Sequence, residues 1–357
     1  MPTANINIYD KRSLTNAVTK VKVLEPFLLN KFFKNKRQHA AESIDVEIIK
    51  SNANLAQFVS DGEGAKIIAK GTKDVKTVTV PRTYEKKVFT AKELADYQGL
   101  IGNVYASPQE RVRAANDMVI REVQDLKNRV MNRREELVCQ IMNTGKIAIT
   151  QDNIAFELDF NFVTAALESG GHIVILAESY QWDDGASRNI VEDCRKIKRA
   201  IMRRSGKNAD VCILGESAAE WFIADTTVKA LLDNNNLRVG SLDLTTANEK
   251  YGNFIGKFAG IEFYEYNQQY NLSGTLTDMI AKNKAIFLPQ DAAYDLHFGP
   301  SYRISANNQL EIITSEFLLE PKVDEDRTYL EWKLEQKSLP SISDPDTIVS
   351  MTVGPSA

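Results

Sequence analysis

Apolar positions recur at three- and four-residue steps through Val112, Ala115, Val119, Val123, Leu126, Val130, Leu137 and Ile141, with densely charged residues between them. That period predicts one amphipathic helix with a narrow apolar stripe, its core formed by Val112, Val119, Val123, Leu126, Val130 and Leu137. Ser107, Pro108 and Glu110 supply an N-cap, a first-turn proline and a capping-box acid, and Gly145 ends the run. A helix over 108–143 would be about 54 Å long at about 1.5 Å per residue. That length suits a strut, a coiled coil or a support laid across a sheet. Arg133 and Arg134 fall where the next apolar residue is due, which weighs against a continuous coiled-coil seam.

Before this helix the period drops to two. Val46 and Ile48 alternate with acids, Val75, Thr77 and Thr79 alternate with Lys76, Val78 and Val80, and Tyr84 to Phe89 is extended; Asp61, Gly62, Glu63 and Gly64 mark a turn. Residues 44–90 therefore read as a long hairpin with little core of its own, whose edges invite pairing with another subunit. Thr90 and Glu93 form a second capping box.

Residues 1–43 read as an arm. Eight basic residues face only Asp10 and Glu25 across the first forty, and a short helix from Pro26 carries Phe27, Leu28, Leu29, Phe32 and Phe33. It is too short to bury these alone and must dock on this chain or a neighbour. A solvated or subunit-contacting arm is a simpler reading of the charge than a nucleic-acid contact.

After Gly145 two short strands are expected, Lys146 to Thr150 and Ile154 to Phe160, then a helical turn from Phe162 to Leu167 and an extended piece from His172 to Leu176. Ser187 opens a helix to about Arg204 with Arg195, Lys196, Lys198, Arg199, Arg203 and Arg204 opposite its apolar side. That basic face reads as solvated, with nucleic-acid contact as the sharper alternative. Strands at Val211 to Leu214, Ile261 to Tyr266 and Ala285 to Leu288, with helices at Glu216 to Ala224 and Thr226 to Leu232, make 187–291 an α/β unit. From Tyr302 the chain is β-rich through Leu310 to Leu318, Tyr329 to Glu335 and Thr347 to Val353. The fold class is α+β, with the long helix laid across a sheet.

A chain of 357 residues with 43% apolar content can build two or three domains. Its net charge of −4 gives no global reason to expect nucleic-acid binding. Cys139, Cys194 and Cys212 are widely spaced and odd in number, against a disulfide scaffold or zinc site. Without an apolar run of transmembrane length or a signal segment, a soluble, unsecreted protein with no membrane partner is expected.

Catalytic signals are thin. Gly252 to Phe258 has phosphate-loop character but the wrong spacing, and lacks the hydroxyl residue that would bind magnesium. Asp291, Asp295 and His297 are the one conceivable ligand cluster, equally explained by a surface turn. Gly215 to Ala219 misses the second glycine of a nucleophile elbow. No enzyme activity, metal, cofactor or small-molecule substrate is expected.

Several stretches, in order along the chain, carry a resemblance. Pro26, Phe27, Leu28 and Leu29 with Phe32 and Phe33 form a proline followed by an aromatic and aliphatic cluster. Trp182 is followed by Asn189, Ile190, Val191, Glu192 and Asp193. Gly256 to Gly260 lead into Ile261, Phe263, Tyr266 and Tyr270. Leu339, Pro340, Ile342, Asp344, Pro345 and Asp346 then precede Val349 and Ser350. Together these resemble the lambda-type (E family) major capsid proteins of tailed bacteriophages, although the stretch before Trp182 is shorter than that family's.

The resemblance implies the Hong Kong 97-type capsid fold. It assigns 1–43 to the N-terminal arm, 44–90 to the extended loop, 91–186 to the peripheral domain with its spine helix, 187–291 to the axial domain and 292–357 to the peripheral domain's C-terminal strands. It implies hexamers and pentamers of this chain in a shell around double-stranded DNA, contacted non-specifically, with possible decoration, scaffolding and portal proteins. The protein would belong to the virion and be made in the bacterial cytoplasm. Subunit contacts are expected at Phe27, Phe32, Phe33, Asp61, Gly62, Glu63, Gly64 and Lys66. A cellular nanocompartment shell on the same fold and a soluble oligomeric enzyme are the alternatives.

Overall fold

The computed structural model describes residues 26–49, 73–93, 108–151, 154–184, 188–233, 240–242, 252–272, 274–292, 294–304, 308–324, 326 and 328–355, with the backbone alone at 108–115, 231–233 and 240–242. Its long helix, α2, runs Pro108–Thr144; a six-residue helix, α1, spans Phe27–Phe32. Gly145 ends α2 at φ +69°, and a side chain there would collide with the Phe162 ring, so only glycine fits.

The stripe of α2 covers a sheet. Strand β19, Tyr329–Ser341, lies between β18, Leu318–Val323, and β4, Arg82–Thr90, both antiparallel to it. Val119, Val123, Leu126 and Val130 bury against Phe89, Leu319, Leu330, Trp332 and Leu334 from these three strands. From Val119 to Val130 the stripe is thereby occupied by the helix's own chain, which leaves no seam there for a coiled-coil partner. Val112 lies where only the backbone is described.

The far end of β19 pairs with β15, Asp295–Phe298, and β15 pairs in parallel with β1, Asn35–Gln38. Strands β2, Ser43–Ile49, and β3, Lys73–Thr79, form an antiparallel ribbon. Two departures from the expected hairpin appear. β4 belongs to the α2-covered sheet, because Phe89 alternates inward there. The ribbon's root also has a core, with Ile44, Val46 and Ile48 all buried.

The second sheet has seven strands in the order β7-β20-β14-β8-β11-β10-β9. β7 is Ile173–Ile175, β8 Val211–Leu214, β9 Gly240–Leu242, β10 Asn253–Phe258, β11 Ile261–Glu265, β14 Lys284–Leu288 and β20 Val349–Thr352. Cys212 and Leu214 point to one face, where helices α3 (Ile190–Ser205), α4 (Glu216–Ala224) and α5 (Thr226–Asp233) pack. Val211 and Ile213 point to the other, where α1 and the last turns of α2 pack through Leu137, Val138, Ile141 and Met142. β20, expected among the C-terminal strands of the peripheral sheet, lies inside this sheet, and so does β7. Val349 and Met351 bury on the α3 face, so the α/β unit is closed by strands from outside 187–291.

Smaller ribbons complete the chain: β5 (Lys146–Gln151) with β6 (Ile154–Asp159), β12 (Gln269–Leu272) with β13 (Thr275–Asp278), and β16 (Ser301–Ile304) with β17 (Leu310–Ile313). The turn expected at Phe162 to Leu167 sits later, as a 3-10 turn at Leu167–Ser169, because Thr164 bridges to Ile173. Helix α3 is capped by Asn189, whose side chain accepts from Glu192 N; Ser187 lies outside the described residues.

Arg134, Glu135 and Glu136, which the sequence places on charged faces, are buried. The Arg134 guanidinium donates to Glu316 Oε1 at 2.6 Å, to the Glu316 carbonyl at 2.9 Å and to Gln336 Oε1 at 2.7 Å. It also lies 4.4 Å from the Phe317 ring centre. What interrupts the stripe is thus a fully partnered charge joining α2 to β19.

Candidate assembly surfaces

Helix α1 is fastened to this chain's own core. Leu28 N and Leu29 N donate to the two carboxylate oxygens of Glu135 at 2.8 and 3.0 Å, and Tyr266 Oη donates to Oε1 at 2.9 Å. Burial pushes the Glu135 carboxyl upward, and these donors oppose the shift. Phe27 packs on Tyr264 with ring centres 5.3 Å apart, and Phe33 on Tyr294 at the same distance. This corrects one expectation. Phe32 and Phe33 are buried within the chain, which leaves them no free surface for a neighbouring subunit, whereas Phe27 is only partly buried. Asp61, Gly62, Glu63, Gly64 and Lys66 lie outside the described residues.

Strand β1 continues the fastening through ion pairs of Lys36 with Glu316 and Arg37 with Asp295, both at 3.1 Å. His39 Nε2 lies 2.8 Å from His297 Nδ1, and His297 Nε2 lies 2.8 Å from Ser341 Oγ. Burial, then His39 and Arg37, push the His297 imidazole down to about 4, against the pull of Asp295. An unfolded histidine titrates near about 6.5. Between those values the unfolded chain holds a proton that the folded chain lacks. The contribution of His297 to stability is therefore expected to fall as pH drops from about 6.5 to about 4, by at most about 1.4 kcal/mol per pH unit, and to level off below. Urea midpoints at pH 7 and 4.5 check this, and His297→Gln should show the smaller difference.

The ribbon β16–β17 has its polarity reversed. Tyr302 faces Ile312 and Ile304 faces Leu310 across the strands, so all four share one side. In the order Tyr302, Ile312, Ile304 and Leu310 their exposures are 45%, 53%, 72% and 69%. On the opposite side Arg303 pairs with Glu311 across the ribbon and with Glu320 on β18. The ion pairs hold the polar side against the body of the protein and turn the apolar side outward. Alternation at 302, 304, 310 and 312 is visible in the sequence, but it carries no sign of which side faces the core.

A charged surface lies on α3. Arg195, Lys196, Arg199 and Arg203 are exposed, whereas Lys198 donates to Gly260 O and Arg204 to the carbonyls of Gly170 and Gly171.

The residues considered for chemistry are engaged elsewhere. Asp295 pairs with Arg37 and His297 with His39 and Ser341, so they do not converge with Asp291 on a common point. Among the described residues no group of three His, Cys, Asp or Glu could hold a metal ion. The phosphate-loop-like stretch is β10, with Lys257 3.6 Å from Glu262, and Ser217 lies within α4. All three cysteines are buried, and burial pushes their thiols well up. No helix of the described residues is long and apolar enough to cross a membrane.

The motifs that carry the resemblance are structural joints. Trp182 is fully buried and its indole donates to Asp193 Oδ2 at 3.1 Å. His172 Nε2 lies 3.0 Å from Asp346 Oδ1, and Asp344 caps the turn Pro345–Thr347.

Comparison with known proteins agrees with this architecture. The family model described as phage major capsid protein E matches residues 10–353. A crystal structure assigned provisionally as the capsid protein of a prophage of E. coli CFT073 superposes with a TM-score of 0.69 at 14% identity, over 97% of this chain and 99% of that one. A phage-related protein from Bordetella bronchiseptica gives 0.56 at 10% identity over 96% of both chains. The capsid of a native GTA particle gives 0.50 at 9% identity, over 94% of this chain and 92% of that one. No curated protein matches the sequence.

Proposed function

This chain belongs to the phage major capsid protein E family, and from that membership we propose that its copies assemble as hexamers and pentamers of an icosahedral shell around double-stranded DNA. Its fold is the Hong Kong 97-type capsid fold and its role is structural, as a component of the capsid. In this reading α2 is the spine helix, the sheet it covers is the peripheral domain, and the seven-stranded sheet with α3, α4 and α5 is the axial domain. Asp61, Gly62, Glu63, Gly64 and Lys66 are read as contacts with a neighbouring subunit. Decoration, scaffolding and portal proteins are further partners, and synthesis occurs in the cytoplasm of the bacterial host.

The outward apolar side of the β16–β17 ribbon is the single observation that most supports assembly through this surface. A subunit that ended its life in water would expose four large apolar side chains together at a standing cost in solubility. A shell covers them with another copy, while many modest interfaces supply the total stability. Deuterium exchange tests the surface and the function together. The amides of 301–304 and 310–313 should slow on passing from dissociated subunits to assembled particles. Equal exchange in the two states would remove the ribbon from the interface.

A further inference from the structure

Helix α3 presents a row of cations that take no part in an ion pair among the described residues. Its buried side, Ile190, Val191, Cys194, Ile197 and Ile201, is spent on the seven-stranded sheet. Arg195, Arg199 and Arg203 follow one another at four-residue steps on the opposite side, with Lys196 beside them. Among the described residues none of the three arginines has a carboxylate partner, although the chain carries 48 acids against 44 bases. The helix's own acids are taken up in its first turn, where the backbone dipole favours them, and Asp193 also accepts from the Trp182 indole. Like charges four residues apart repel and weaken a helix. Three guanidinium groups held at that spacing, and without a carboxylate partner among the described residues, point to an anionic partner outside the subunit.

The structure assigns that partner as the phosphate backbone of double-stranded DNA, which places the α3 surface on the lumen side of the shell. This rests on the proposed enclosure of DNA. The row covers about 12 Å from Arg195 to Arg203, a length in which one strand of B-DNA presents about three to four phosphates. Guanidinium groups meet phosphate oxygens through paired hydrogen bonds, which ammonium groups do not reproduce. The three guanidinium groups reach phosphates, which carry no sequence information. The contact is therefore independent of sequence. A few phosphates per subunit give binding that salt readily reverses, as DNA that must later leave requires.

Fluorescence anisotropy of a 30-base-pair duplex titrated with dissociated subunits, between 50 and 200 mM salt, tests the contact. In R195Q/R199Q/R203Q the slope of log affinity against log salt should shrink by about 2.7, at about 0.9 for each phosphate no longer neutralised. Affinity at 50 mM salt should fall at least tenfold, and two unrelated duplex sequences should behave alike. R195K/R199K/R203K, which keeps the charges, should retain most of the slope. An unchanged slope in the glutamine variant overturns the assignment. The side of the shell is read separately, by attaching an amine-reactive group to a polymer too large to pass the shell wall. Lys196 should react in opened particles and stay protected in closed ones; reaction in closed particles overturns the lumen placement. Failure to form shells at all would count against the proposed function, while the duplex titration still decides the phosphate contact.

Discussion

Replacing Ile304 with aspartate and Leu310 with lysine is expected to give a folded subunit that does not form shells. The two positions face each other across the β16–β17 ribbon and are 72% and 69% exposed, so the subunit loses almost no buried area. The new charges are opposite in sign and directly paired, which preserves the ribbon. At a subunit interface each change removes an apolar side chain whose burial contributes about 1.5–3 kcal/mol. Each also introduces a charge that must be stripped of water. A loss of about 3 kcal/mol is more than a hundredfold in each interface, repeated at every copy. Sedimentation velocity should show only small species with unchanged circular dichroism; particles of normal size would contradict the role given to the ribbon.

Arg134→Ala is expected to cost about 3–5 kcal/mol of subunit stability, the range for breaking a buried ion pair from one side. The guanidinium is fully buried and its hydrogen bonds to Glu316 and Gln336 are all between distant parts of the chain. Burial pushes the Glu316 carboxyl up, but Arg134 and Lys36 outweigh it and hold it below its ordinary range. Without Arg134 that carboxylate keeps its ion pair with Lys36, an exposed partner of small value. Urea unfolding should show the lower midpoint. Arg134→Met with Glu316→Leu should recover much of the loss, since apolar replacements of similar volume relieve both desolvation costs.

Arg134 also shows where the sequence stops being readable. The 3.6-residue period predicts α2 to within a residue of its C-terminus, since the apolar repeats and the stop at Gly145 are local. The same period treats Arg134, Glu135 and Glu136 as surface charges. The partners of Arg134 and Glu135, namely Gln336, Glu316 and the α1 amides, lie far away along the chain, and no local pattern reports them. Strand pairing is hidden for the same reason. Val349 and Met351 look alike whether β20 joins the peripheral sheet or the seven-stranded one, and only its register with β14 and β7 decides. Phe32 and Phe33 are legible as side chains needing burial, but the surface that receives them, supplied by Tyr294 and the end of α2, is not. The ribbon's outward side is hidden most completely. An alternation of apolar and charged residues ordinarily buries the apolar side, and here Arg303 with Glu320 reverses it.

Copies of this chain are expected to assemble with one another into a closed shell. Light scattering of the purified protein followed by negative-stain electron microscopy measures this directly. Five- and six-fold rings or closed particles of megadalton mass are the predicted result. A dimer or tetramer whose mass stays fixed as concentration rises would contradict it.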